Sequence, residues 1–323
     1  MMWPFTGSAG GWLALYVLTF ALHAVFVSYV LVGTVYALVQ TIRKVDDPIA
    51  KRVLDRLPFM LGCGITAGVG PLLFIQLVYQ RHFYSANLVM GPRWGAVVPA
   101  LIVGFYALYV AKASAKWRRL ALGIGAACFL FVAWSWTEEH QLMMDEPAWR
   151  TMYGAGLRLY GDASIPPRLL LWLGVMATLF ASVAVWWASG GERRRLAAIA
   201  IAGRVVAGLA AAWIAASGGI VDGGAHGWLY LFVAAVVVEL AGWAWTWKSP
   251  DGSGVLLVAA AGTAALVAGA VVREAPRIAM IEPPREAAMN AGGFPVFVTT
   301  AIFGIAAITW IVQRIRTAKP TGS

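Results

Sequence analysis

Charge is what this sequence has least of. Asp, Glu, Lys and Arg make up 12% of its 323 residues, about half the share expected of a soluble globular domain. Cysteine is almost as rare: Cys63 and Cys128 both fall inside apolar runs, which excludes a disulfide framework and any C-x-x-C-H haem attachment. There is no phosphate-binding P-loop, no HExxH and no GxSxG, so soluble hydrolase or nucleotide chemistry has no support. The formal charge is +10. That excess is spread over short connections between apolar runs, a distribution that suits a membrane protein and argues against a nucleic-acid partner.

What the chain does have is apolar length. Hydrophobic residues are 60% of it, Gly numbers 35 and Trp 16, and the mean hydropathy is +0.73. A transmembrane helix needs about 20 mainly apolar residues. Runs of that kind lie at 12–40, 57–79, 95–113, 119–137, 168–189, 196–217, 227–247, 254–272 and 294–313. The expectation is an all-α integral membrane protein, a bundle of about nine transmembrane helices in contact with the lipid bilayer. The whole of 1–323 reads as a single transmembrane domain, with a four-helix part at 12–137, an external loop at 138–167 and a five-helix part at 168–313. The leader before Trp12 carries no basic residue, and the run to Val39 is too long for a signal core, so the first run is expected to stay as a helix.

Counting Lys and Arg on alternate sides gives sixteen in one set of connections, including Arg43, Arg52, Arg119 and Arg193–Arg195, and eight in the other. By the positive-inside rule the amino terminus lies outside and the carboxyl terminus in the cytoplasm, as in a bacterial inner membrane. The long external connections are then 138–167 and 273–293. Trp149, Tyr153 and Tyr160 in the first predict an ordered lid or docking surface.

Three ionisable residues sit inside apolar runs, where each needs a reason. His23 is about eleven residues into the first run, roughly 16 Å from its start at ~1.5 Å per residue. A neutral imidazole there can ligate haem iron, relay protons, or hydrogen-bond a neighbouring helix. Arg204 and Glu239 lie at matching depths on consecutive helices and are expected to pair. That pair either locks two helices together or marks a proton or quinone site. His82, His140 and His226 all fall at the same, outer ends of their runs. Beside His140 stand Glu138, Glu139, Asp145 and Glu146. These residues form either an external metal site that includes His140 or, as their spacing matches no ligand pattern, a solvated acidic loop.

The stretch Thr19 to Gly33 resembles the first helix of subunit I of the cytochrome bd quinol oxidases. Thr19, His23, Phe26 and Val27 stand at that family's spacing, and Gly64 to Gln76 (GITAGVGPLLFIQ) is similar to its glycine-rich second helix. The resemblance covers roughly the first fifth of the chain by motif and the remainder by topology alone. It implies that His23 is an axial ligand of a b-type haem near the outer side. It also implies a place in a respiratory electron-transfer complex that handles b haem, quinone, or both, with other respiratory subunits or a periplasmic c-type cytochrome as partners.

Three departures bear on activity. The fifth run, Leu169 to Ser189, has no His; the third, Gly95 to Ala113, has no acidic residue; and the link at 218–226 is too short for the family's quinol-binding loop. The expectation is therefore a subunit of an oxidoreductase complex and not a complete oxidase. The alternatives are a cofactor-free scaffold that anchors redox subunits and a transporter. The transporter reading lacks paired helix breaks in two halves, because Pro71 and Pro99 have no counterpart in the second half.

Overall fold

The computed structural model describes residues 9–156, 158–219, 223–281 and 293–317, and among them there is no strand. Four long helices form the first part: α1 (Ala9–Ile42), α2 (Pro48–Val78), α5 (Val97–Ala113) and α6 (Arg118–Leu142). Between α2 and α5 lie the short α3 (Gln80–Met90) and α4 (Pro92–Gly95), and after α6 comes α7 (Glu146–Ala155). The second part holds α8 (Ile165–Ala184), α9 (Gly191–Ala216), α10 (His226–Lys248), α11 (Val255–Glu274) and α12 (Gly293–Thr317). Turns of 3-10 helix, Val185–Trp187 and Ala275–Met280, extend α8 and α11.

Among the described residues, eight helices are long and apolar enough to cross a membrane, and the chain is a multi-pass membrane protein. The ninth expected run, 294–313, lies within α12 (Gly293–Thr317). Sequence neighbours pack as antiparallel hairpins: α1 with α2, α5 with α6, α8 with α9, and α10 with α11. Helix α1 also touches α6, α8 and α11, and so runs through the middle of the bundle.

Small residues let these hairpins close. A Cβ on Gly174 of α8 would lie 2.5 Å from the carbonyl oxygen of Gly203 on α9, and one on Gly203 would lie 2.6 Å from that of Gly174. Here the two backbones touch, and Thr178 Oγ1 donates across the seam to Ala200 O at 3.1 Å. Close approach of this kind replaces the hydrophobic drive that lipid removes.

The two ends of the bundle differ. At one end Asp47 caps α2: its carboxylate accepts from Ile49 N at 2.8 Å, and Pro48 fills the first helical position. The same carboxylate accepts from Tyr36 of α1 at 2.5 Å and Arg195 of α9 at 2.8 Å, while Arg52 pairs with Glu192 at 2.6 Å. We call this the basic end. At the other, capped end α3 and α7 lie over the helix termini and bury Phe83, Met90, Trp149 and Met152. Asp145 caps the start of α7, and Gly156 (φ +67°) ends it in the left-handed conformation that glycine adopts without strain.

The structure corrects four boundaries. Helix α2 begins at Pro48, so much of the expected loop 41–56 is helical. The connection before α5 contains α3 and α4. The expected external loop 138–167 begins with the last turn of α6 and contains α7. Residues 273–281 continue α11, whereas 282–292 lie outside the described residues. At the start of α2 and the ends of α6 and α11, polar side chains with hydrogen-bond or ion-pair partners carry the helix past the point where its apolar run stops.

Candidate buried polar sites

His23 lies in the seam between α1 and α2. Its Nδ1 stands 2.9 Å from the carbonyl oxygen of Gly64. A carbonyl only accepts, so Nδ1 carries the hydrogen and a neutral ring presents its lone pair at Nε2. The ring rests on Gly68, where an added Cβ would fall 2.8 Å from Cε1. One turn nearer the capped end Thr19 rests on Gly70, and one turn the other way Phe26 and Val27 rest on Gly64. Thr19, His23, Phe26 and Val27 therefore form one continuous seam of side chains laid against glycines of α2.

Arg204 and Glu239 meet as expected. Arg204 Nε donates to Glu239 Oε2 at 2.9 Å and Nη2 donates to the same oxygen. Glu239 has no exposed surface and Arg204 is 9% exposed. The other carboxylate oxygen, Oε1, makes no hydrogen bond among the described residues; the Trp243 indole stands nearby, outside hydrogen-bond geometry. Oε1 faces Gly262 of α11, where a Cβ would come within 2.9 Å.

The sequence did not point to the larger constellation, which lies at the capped end. Glu138 and Glu139, expected in a solvated loop or an external metal site, are fully buried on the last turns of α6. Glu138 is saturated with donors. Arg93 of α4 forms an ion pair with it and donates through Nη1 at 2.8 Å; Trp134 Nε1 donates at 3.1 Å and the Tyr160 backbone N–H at 2.8 Å. The Tyr160 hydroxyl donates to Asp145 at 2.8 Å. Burial, and then that carboxylate, push the hydroxyl's pKa up, so it remains a donor.

Glu139 is the opposite. Neither of its oxygens has a hydrogen-bond partner among the described residues, and the positive charges that act on it are those of Arg277 and Arg273. Those two arginines converge on Glu274, the last residue of α11. Arg273 Nη1 lies 3.2 Å from Oε1, and Arg277 Nη1 lies 3.4 Å from both oxygens. Tyr79 donates to Glu274 at 3.4 Å, and Tyr16 of α1 stands beside the same charges. Arg273 is further held over the faces of Phe20 (4.6 Å) and Trp172 (5.3 Å), an attraction of the cation to the ring quadrupole.

His140, the candidate metal ligand, belongs to this network. Its Nδ1 accepts from Arg273 Nη2 at 2.7 Å, and its carbonyl accepts from Arg277 at 3.2 Å. With Nδ1 accepting from a guanidinium, the neutral ring carries its hydrogen on Nε2, so neither nitrogen offers a lone pair to a metal. Among the described residues no three His, Cys, Asp or Glu side chains come close enough together to hold a metal ion. The overlooked signal was Glu274 with Arg277, an i,i+3 pair of opposite charge directly after an uninterrupted apolar run.

Comparison with protein-family models, with curated proteins and with solved structures returned no match. What this chain does must therefore be argued from these sites.

Proposed function

We propose that this chain is a membrane subunit of a respiratory electron-transfer complex, similar to subunit I of the bd oxidases, and that His23 is an axial ligand of a b-type haem. One observation carries the reading. His23 is held through Nδ1 by Gly64 O at 2.9 Å, and Nε2 has no hydrogen-bond partner among the described residues. Ligating histidines have this arrangement: a carbonyl at one nitrogen sets the tautomer and ring orientation, and the other nitrogen is left to the metal. When bound, the haem would supply one-electron transfer. The protein's share is to orient the imidazole, held against Gly68 and by Gly64 O at Nδ1.

In this reading the capped end faces outward and the basic end faces the cytoplasm of a bacterial inner membrane, with the amino terminus outside and the carboxyl terminus inside. Partner redox subunits or a periplasmic c-type cytochrome would dock at the capped end. Arg204 and Glu239 would border a proton or quinone site, since Glu239 Oε1 is an acceptor without a donor. A reduced-minus-oxidised spectrum of the purified protein tests the haem. A b-type band that is lost in His23→Ala is the expected result, and no band in the unaltered protein removes the proposal.

A second reading, a cofactor-free scaffold, is favoured by the way the His23 ring fills the notch over Gly68 and by the absence of any His from α8. A His23→Ala complex that assembles and transfers electrons normally would support it.

A further inference from the structure

We infer that Glu139 is a proton-exchange site, a buried carboxylate that takes up and releases a proton at the capped end of the bundle. The inference does not depend on haem at His23. It starts from atoms that have nothing to bond. Buried polar groups are almost always satisfied, and each exception calls for an unseen water, an ion or a chemical role. Around Glu139 the exceptions cluster. Among the described residues both its oxygens lack donors, while Arg277 Nε and Arg273 Nη1, on the two guanidinium groups whose charges act on it, lack acceptors in hydrogen-bond geometry. Two orphan acceptors on Glu139 and two orphan donors on neighbouring guanidinium groups, all buried at helix termini, are the setting in which a buried water bridges such groups.

The charges make the carboxylate the variable member. Arginine stays protonated in proteins, so Arg273 and Arg277 are fixed positive charges. Glu274 is held by both of them and serves as the constant counter-charge. With Glu139 ionised, two guanidinium groups face two carboxylates; with Glu139 protonated, one positive charge is left over. The other titratable or charged groups that face this set are Tyr16 from α1, Tyr79 from the end of α2, His140 from α6 and Arg168 from α8. His140 accepts from Arg273 at Nδ1, an arrangement that requires a neutral ring, so it does not compete for the second charge. Neighbouring Glu138, saturated by Arg93, Trp134 and Tyr160, has no orphan atom through which to exchange.

The partly exposed members of the cluster are His140, half-buried, and the Arg273 side chain, 21% exposed, and the proton would enter beside them. The step is a proton transfer alone. An O–H bond of hydronium or water breaks, the O–H bond of the Glu139 carboxylic acid forms, and no electron moves.

Infrared difference spectroscopy on the full-length protein in lipid nanodiscs tests this. Across the pH range in which the protein stays folded, a carboxylic-acid C=O band should appear as pH falls, and it should shift in D2O. The band should be lost in Glu139→Gln and persist in Glu138→Gln. Glu139→Asp, which keeps the acid should Glu139→Gln fail to fold, should move the band without abolishing it. A band that is absent from the unaltered protein overturns the assignment, as does one unchanged in Glu139→Gln or in Glu139→Asp.

Discussion

Two sets of buried charge stabilise this bundle, and they are built differently. In the middle, Arg204 and Glu239 form a closed pair, one guanidinium on one carboxylate, joining α9 to α10. At the capped end, Glu138, Glu139, His140, Arg273, Glu274 and Arg277 join α6 to α11 and its extension, with α4 tied in through Arg93. The mid-bundle pair cancels itself. The capped-end set cancels only as a whole, and it leaves both oxygens of Glu139 over, whereas the mid-bundle pair leaves one, Glu239 Oε1. A closed pair far from water is suited to holding helices in register. A partly satisfied cluster near an aqueous surface is suited to changing its protonation.

The comparison breaks most readily at the mid-bundle pair. Arg204→Leu or Glu239→Leu alone leaves an uncompensated buried charge and should cost about 3–5 kcal/mol, whereas the double replacement should recover most of that loss. Thermal melts of the three variants in detergent, read by size-exclusion recovery, give the coupling. If the double variant melts no higher than the single ones, the two residues do not act as a pair.

The next largest effect separates two neighbours on α6. Glu138→Ala removes the acceptor of three donors and strands Arg93, so it should destabilise by about 2–3 kcal/mol. Glu139→Gln removes no hydrogen bond present in the structure and should change stability by about 1 kcal/mol or less at neutral pH. Equal losses in the same melting assay would remove the contrast between a structural and an exchangeable carboxylate.

The smallest effect belongs to the surface. Arg81 and Glu146 link α3 to α7 through an ion pair whose side chains are 56% and 47% exposed. Arg81→Ala should cost less than about 1 kcal/mol, and the cost should shrink further in high salt. A loss as large as that of Glu138→Ala would mean that the capped end is held together by α3 and α7 rather than by its buried charges.

Much of this architecture could be read in advance, residue by residue. The apolar runs announce nine helices, eight of which are long and apolar enough to cross a membrane among the described residues, because a helix satisfies its own backbone groups in lipid. Arg204 and Glu239 were visible as partners because each is costly alone inside such a run, and consecutive helices bring equal depths together. His23 stood out for the same reason, although nothing in the sequence indicates that Gly64 O would take its Nδ1 hydrogen. Glu139, Glu274 and Arg277 were hidden because they lie just past the ends of apolar runs, where charged residues are ordinary. Only the continuation of α6 and α11 by further turns turns them inward.

The sequence by itself determined the class of molecule, the existence and approximate extent of most helices, and the pairing of one arginine with one glutamate. These follow from local composition measured against the cost of burying charge. The tertiary structure decided which of the end residues are buried and which meet. Glu139 comes to face Arg277 because α6 and α11, more than a hundred residues apart in the chain, end beside each other. That distinction between Glu138, saturated, and Glu139, unbonded, depends on one residue's rotation around a helix.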